Sequence, residues 1–304
     1  MTAIPQLETA SVGRPITRQG VSLIPVYIHQ ILGQAIDTGR NAQVEIGEEQ
    51  QEHVPVLTAV NRGALPVLLA EGETVNGGYQ NRTLNVSVLL PAGATTQIPV
   101  SCVEAGRWGG GQRGFSRGMS QAPRRVRREK QLGVRDNVVL NHMKASDQGR
   151  VWSAVDYELQ RLNVDAATSA LVAGDEVFGR EDGRDLARAI GELVQRGPLP
   201  GQCGVVVSHG SRVVQAEVFG APELLAKQWE PLVRAWMYDA PGQVRGTPSL
   251  SRAVNALGHV AAMRKDTAPG VGLGREVHAT DNRVVAHGLV LDDALVHLGA
   301  FALA

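Results

Sequence analysis
The densest set of chemically capable side chains in this sequence lies between residues 71 and 108. Glu71-Gly72-Glu73 is followed, after Gly77-Gly78, by Gln80-Asn81-Arg82; Asn85 opens the next strand, and Glu104-Ala105-Gly106-Arg107-Trp108 closes the unit. Side chains of an extended chain alternate faces with period two, so Glu71 and Glu73 are expected on one face, with a hairpin returning Glu104 towards them. Carboxylates gathered in this way could split their pKa values, one acting as general acid and another as base, or bind a divalent cation through hard oxygen ligands. Glu71, Glu73 and Glu104 are therefore the candidate catalytic residues. Arg82 suits a phosphate or carboxylate, Gln80 and Asn81 can read hydroxyls or amides, and Arg107 and Trp108 complete a candidate ligand-binding set. The same groups could instead satisfy one another and the turn backbone as a structural network.

The elements that must position these residues are legible as short Val/Leu/Ile runs separated by Gly, Pro and Asn, which predict strands at Val21–Ile28, His53–Val60, Pro66–Ala70, Leu84–Leu90 and Thr96–Cys102. Leu84, Val86, Val88 and Leu90 alternate with Asn85, Ser87 and Leu89, and Pro91-Ala92-Gly93-Ala94 reverses the chain, predicting a hairpin into Thr96–Cys102. Helices are predicted after Ser146 as N-cap, carrying Val151, Val155, Leu159 and Leu162; around Leu186, Ile190 and Leu193; from Pro222 through Leu225, Trp229, Leu232 and Trp236; and near Ser249–Met263. Gly204–Val207 and Arg212–Phe219 flank His209-Gly210 as a second hairpin, and a strand meander ends the chain. The fold class is α+β, with a strand-rich N-terminal half of antiparallel hairpins and a helix-rich α/β C-terminal half. A β-rich region (1–106), a basic Gly/Arg-rich arm or linker (107–135) and an α/β region (136–304) follow, the last able to pack with the first as one unit.

The arm is defined by Arg107, Arg113, Arg117, Arg124, Arg125, Arg127, Arg128, Lys130 and Arg135, set against a single acidic residue, Glu129. It is expected to be mobile, or ordered by an anionic partner. Nucleic acid is one such partner, with Phe115 or Trp108 stacking on a base, but two aromatics make a thin stacking surface and a solvated or inter-subunit arm is the plainer reading. Trp229 and Trp236, seven residues apart, suit a core or an oligomer interface. Cys102 has no local histidine to act as its base and is expected as a buried thiol. His278, His287 and His297 fall in the final meander. With two-residue turns at Asp281-Asn282 and Asp292-Asp293, strand parity places His297 opposite Gly288 and on the other face from His287, which excludes a three-histidine zinc site unless a bulge shifts the register. Gly270-Val271-Gly272-Leu273-Gly274 lacks the spacing of a nucleotide motif and is expected as a flexible turn.

The segments VNRGALPVLLAEGETVNGGYQNRTLNVSVLLPAGATTQIPVSCVEAGRW, SDQGRVWSAV, PLPGQCGVVVSHGSRVVQAEVFGAPELLAKQWEPLVRAWMYDA and HGLVLDDALVHLGAF resemble the ARG and Rhodanese-Phosphatase-superfamily-associated protein domain, in which ARG denotes ADP-ribosylglycohydrolase. The resemblance runs from about Ile24 to the C-terminus. It carries over Glu71, Glu73, Gln80, Asn81, Arg82, Glu104, Arg107 and Trp108, and this chain departs from the pattern in the glycine-rich lead Asn76-Gly77-Gly78-Tyr79. What it implies is a tie to ADP-ribose chemistry by association, with ADP-ribose-like or nucleotide-like ligands as the expected class and a divalent cation as a candidate cofactor.

Composition bounds the alternatives. With 30 basic and 30 acidic residues the whole molecule has no field drawing it to nucleic acid or membrane, so recognition must be local. No window approaches eighteen apolar residues and no signal-peptide pattern opens the chain, so neither membrane association nor secretion is expected. Two widely spaced cysteines fit a reducing, cytoplasmic setting. Three function classes remain: an enzyme acting on a small anionic ligand, a module that binds such a ligand unchanged, and a structural protein of homo-oligomeric assembly.

Overall fold
Aliphatic and β-branched runs form strands throughout this chain, as their fit to a pleated surface favours. The computed structural model describes residues 4–48, 55–107 and 114–303. In chain order the main strands are β1 (Val21–Tyr27), β2 (Val44–Gly47), β3 (Val56–Asn61), β4 (Val67–Leu69), β5 (Glu73–Gly77), β6 (Arg82–Leu84), β7 (Val88–Leu90), β8 (Thr95–Cys102) and β9 (Gly114–Gln121). Helices α1 (Arg124–Asn141), α2 (Gln148–Arg161) and α3 (Arg184–Arg196) lead to β10 (Gly204–His209) and β11 (Arg212–Phe219). Then come α4 (Pro222–Tyr238), α5 (Leu250–Ala262), β12 (Asp266–Pro269), β13 (Arg275–Thr280), β14 (Val284–Leu291) and β15 (Ala294–Ala302). The fold is α+β, and the C-terminal meander stands as expected.

Strands β8-β3-β2-β9-β5-β6 close into a barrel, and β1-β10-β11-β15-β14-β13-β12 form the body of a large antiparallel sheet. Ile46, Leu57, Ala59, Val75, Leu84, Ile98 and Val100 belong to the apolar cluster that includes the barrel core. One face of the large sheet packs on α3 and α4, where Trp229 and Trp236 meet edge to face at 5.8 Å, and α5 packs in the second apolar cluster of that sheet. Both tryptophans are buried core residues, not interface anchors.

Several local expectations are corrected. Leu84–Leu90 is not one strand: it splits into β6 and β7 because Asn85 and Ser87 leave the ladder for partners elsewhere. Asn85 Nδ2 donates to the Lys144 carbonyl at 3.0 Å, and Ser87 Oγ meets His297 Nδ1 at 2.7 Å. The chain reversal therefore makes no β7–β8 ladder. β8 pairs with β3 and with β6, in the register Val100↔Leu84 and Cys102↔Arg82, while β7 pairs with β4. The N-cap of α2 is Asp147, whose Oδ1 accepts from Arg150 N, since the Ser146 hydroxyl is taken by Ser101. The start of the expected strand at His53 lies outside the described residues.

The expected basic arm is a barrel strand and a helix. Along α1 the buried residues are Val126, Arg127, Lys130, Gln131, Val134 and Val138, a single face on which valines and charges alternate. The stretch orders itself by ion pairing within the protein: Arg117 with Glu73, Arg124 with Asp239, Arg125 with Glu158, Arg128 with Glu129, and Arg135 with Asp136 and Asp266. Arg113 lies outside the described residues.

Candidate functional site
The Glu-Gly-Glu motif is not one extended run: Glu71 and Gly72 form a turn, and Glu73 opens β5. Glu73 N donates to the Ala70 carbonyl at 3.1 Å, and Gly72 takes φ +86°, a left-handed conformation that glycine adopts freely. The turn sends Glu71 and Glu73 apart, correcting the shared face expected of an extended chain. A Cβ on Gly72 would stand 2.3 Å from Arg127 Nε, so the same glycine also lets the arginine approach.

Glu71 enters a buried charged layer between the barrel, α1 and the large sheet. Its Oε2 accepts from Arg127 Nε and Nη2 at 3.0 and 2.8 Å, and its Oε1 accepts from Lys130. Arg127 also donates to Glu217 at 2.9 and 2.7 Å, and Glu217 meets His297 Nε2 at 2.8 Å. Burial opposes ionisation of both carboxylates, yet Arg127 with Lys130 holds Glu71 below the usual range, and Arg127 with His297 holds Glu217 down to about 2. Burial brings Lys130 down to about 8, against the pull of Glu71.

Glu73 turns the other way. Its Oε1 accepts from Ala70 N and Gln228 Nε2, both at 2.7 Å, and its Oε2 pairs with Arg117. Glu104 forms a third network: Arg107 Nε and Nη2 donate at 3.0 and 2.8 Å, Asn81 N at 3.1 Å and Thr168 Oγ1 at 2.8 Å. Burial would raise its pKa, but Arg107 and these donors hold it low. Gln80 is tied to the Glu104 carbonyl and accepts from Cys102 Sγ, whose thiol burial pushes up to about 11; Asn81 Oδ1 accepts from Gly77 N. The three carboxylates thus sit in three separate networks, each with its own cation. Trp108 lies outside the described residues.

Arg82 differs from the others. Its side chain is buried, and among the described residues Nε and Nη1 have no hydrogen-bond partner; Arg117 Nε likewise finds none there. The ladders Val75↔Arg82 and Arg117↔Val75 set the two arginines on either side of Val75, on the face of β5 that carries barrel-core residues. Among the described residues, strands β2 and β9 pair at Gly47↔Gly114 and Ile46↔Phe115, and beyond Ile46 and Phe115 they part. Where they part lies a cleft of about 690 Å³, between the barrel and α4, lined among others by Arg40, Ile46, Phe115, Arg117 and Lys227.

Against known families, residues 9–301 match the model of the ARG and Rhodanese-Phosphatase-superfamily-associated Protein domain. The chain belongs to this family. The match begins earlier than the resemblance at Ile24 indicated and takes in the barrel, α1 and the large sheet as one family unit. No curated protein and no solved structure matches the chain. No helix among the described residues of this family member is long and apolar enough to cross a membrane.

Residues that the sequence reading set aside complete the polar interior. Asp281 Oδ1 accepts from Arg283 N and Val284 N at 2.8 and 2.9 Å, which moves the β13–β14 turn to Asn282-Arg283 and puts His278 directly opposite His287. A bulge then pairs Val290 with Leu295 but Leu289 with His297, carrying His297 to the face of His287. His287 and His297 therefore share a face, because the bulge shifts the register that strand parity alone would set. Glu276, His278 and His287 place one ligand atom each within 4.8 Å of one another, all fully buried. The signal available in the sequence was Asp281, an Asx-turn former that fixes the register.

Proposed function
We propose that this protein binds a small anionic ligand of the nucleotide or ADP-ribose class in the cleft between the barrel and α4, with Arg82 and Arg117 as its anchors. One observation carries the reading: Arg117, which lines an open cleft, and Arg82, on the far side of Val75 in the same row of the sheet, each keep buried N–H donors without an acceptor among the described residues. A buried donor left unmade costs about 1–3 kcal/mol, more for a charged group, and an entering phosphate or carboxylate would remove that cost. The cleft volume falls in the range of small-ligand sites. Phe115 offers a ring face to a base, and Arg40 and Lys227 add positive charge at the rim. Gln80, Asn81, Glu104 and Arg107 serve this site by fixing the turn from which Arg82 emerges. Glu73, bonded to Arg117, is the carboxylate positioned to act as acid or base if the ligand is cleaved. The family's association with ADP-ribosylglycohydrolase puts ADP-ribose first among ligands to try, and the two free, buried thiols suit a cytoplasmic setting.

Thermal shift with the full chain tests this, using ADP-ribose, nucleoside diphosphates and pyrophosphate. Saturation at about one hundred times Kd stabilises by roughly 2.7 kcal/mol. Arg82→Met should abolish the response while leaving the ligand-free protein as stable as before or more so, because it removes two buried N–H donors without acceptors among the described residues. Absence of a shift with every anion, or a shift that persists in both Arg82→Met and Arg117→Met, refutes the assignment. Chromatography of the ligand after long incubation separates binding from turnover.

A further inference from the structure
We propose that Glu276, His278 and His287 form a binding site for a divalent first-row transition ion, zinc or ferrous iron, inside the large sheet. The site is separate from the cleft and does not depend on what the cleft binds. Its donors are two imidazoles and one carboxylate on adjacent strands β13 and β14, a set that holds such ions in many proteins. His278 Nε2 and Glu276 Oε2 are 3.0 Å apart, and the His278 and His287 ring centroids are 5.0 Å apart. Ligand atoms around one tetrahedral zinc lie roughly 3.3 Å from one another, so modest side-chain rotation brings all three donors into range.

The independent observation is His287. It is fully buried, and among the described residues neither ring nitrogen has a hydrogen-bond partner; His278 Nδ1 also finds none there. An imidazole sealed away from water with both nitrogens idle forfeits two interactions, and a metal ion restores one while another acceptor or donor can serve the second. Burial, with the ammonium groups of Lys130 and Lys144 acting in the same direction, favours the neutral form of this ring, the form that ligates metals. Lys144 is the competing cation: its ammonium lies 2.5 Å from Glu276 Oε1 and is partly exposed, so it can swing to solvent when an ion takes the carboxylate. Lys130 does not compete, being held by Glu71 and the Leu84 carbonyl.

The experiment is metal analysis of the full chain expressed with supplemental zinc, iron or cobalt, with cobalt also read by its visible ligand-field absorption. Wild type should carry about one ion per chain, and His287→Leu and Glu276→Gln should each lose it, with the cobalt band. The two readings part on stability as well. His287→Leu should lower the Tm if an ion is bound there, but should hold or raise it if His287 is only an unpartnered ring. A wild type that stays metal-free in all three media, or a His287→Leu protein that folds and keeps its ion, overturns the proposal. Should His287→Leu fail to fold, the Glu276→Gln spectrum decides: a cobalt band unchanged from wild type also overturns it.

Discussion
Replacing Arg127 by Met is the sharpest probe of how this molecule is held together. The guanidinium is 1 % exposed and makes four charge-assisted hydrogen bonds, two to Glu71 and two to Glu217, so the substitution keeps the bulk and removes the charge shared by the barrel and the large sheet. Breaking a buried pair from one side costs about 3–5 kcal/mol. Here Glu71 keeps Lys130, and Glu217 keeps its contacts with His297 and Gln215, so the lower end applies. At about 2.1 cal/mol/K per residue, unfolding 304 residues carries an entropy of roughly 0.64 kcal/mol/K, which converts a loss of about 3 kcal/mol to a Tm drop of about 5 °C. Differential scanning calorimetry at neutral pH measures it, and adding Glu217→Gln to Arg127→Met should cost less than the sum of the two changes, because the second removes the charge that the first strands. A drop below about 2 °C with cooperativity intact would refute the view that this layer joins the two halves.

Acid should act through the same layer. Glu217 has a folded pKa of about 2 against 4.5 for an ordinary glutamate, so its contribution is complete above about pH 4.5 and is lost as pH falls through 2; denaturant midpoints between pH 5 and 2 should fall more steeply for wild type than for Arg127→Met. The Cys102 thiol, pushed up to about 11 and bonded to Gln80, should stay inert to thiol reagents at pH 8 until the protein unfolds, and rapid labelling of the native protein would contradict its burial.

Much of the fold was legible because it follows local rules. Pro222 at the first turn of α4, Ser249 at the cap of α5 and the Leu225, Trp229, Leu232 and Trp236 stripe all hold. Errors arose where a distant partner decided the outcome. Asn85 and Ser87 read as polar steps in one strand, but their partners at Lys144 and His297 lie 59 and 210 residues away. Helix α1 was hidden by its charges: Val126, Val134 and Val138 keep a helical stripe, but Arg127 and Lys130 occupy the same buried face, and no local pattern announces the carboxylates that neutralise them. Gly72 was the readable clue that Glu71 and Glu73 diverge, since a glycine between two polar residues after an apolar run is a turn signal.

The candidate site shows the same division between what types and spacing reveal and what pairing decides. Acidic and basic residues concentrated in one motif are compatible with catalysis and with a brace, and composition cannot separate the two. Pairing can. Glu71, Glu73 and Glu104 each face a cation of their own within hydrogen-bond distance, so their oxygens are already occupied. Among the buried atoms that find no counterpart in the described residues are Nε and Nη1 of Arg82, Nε of Arg117 and both ring nitrogens of His287. Folding that buries such groups must recover their lost hydration elsewhere, and the most direct source is something that is not part of the chain. On the two proposals an anion would satisfy the arginines and a metal ion the histidine, which is why the functional reading moves from the motif's carboxylates to its unmatched donors and to the sheet face behind it.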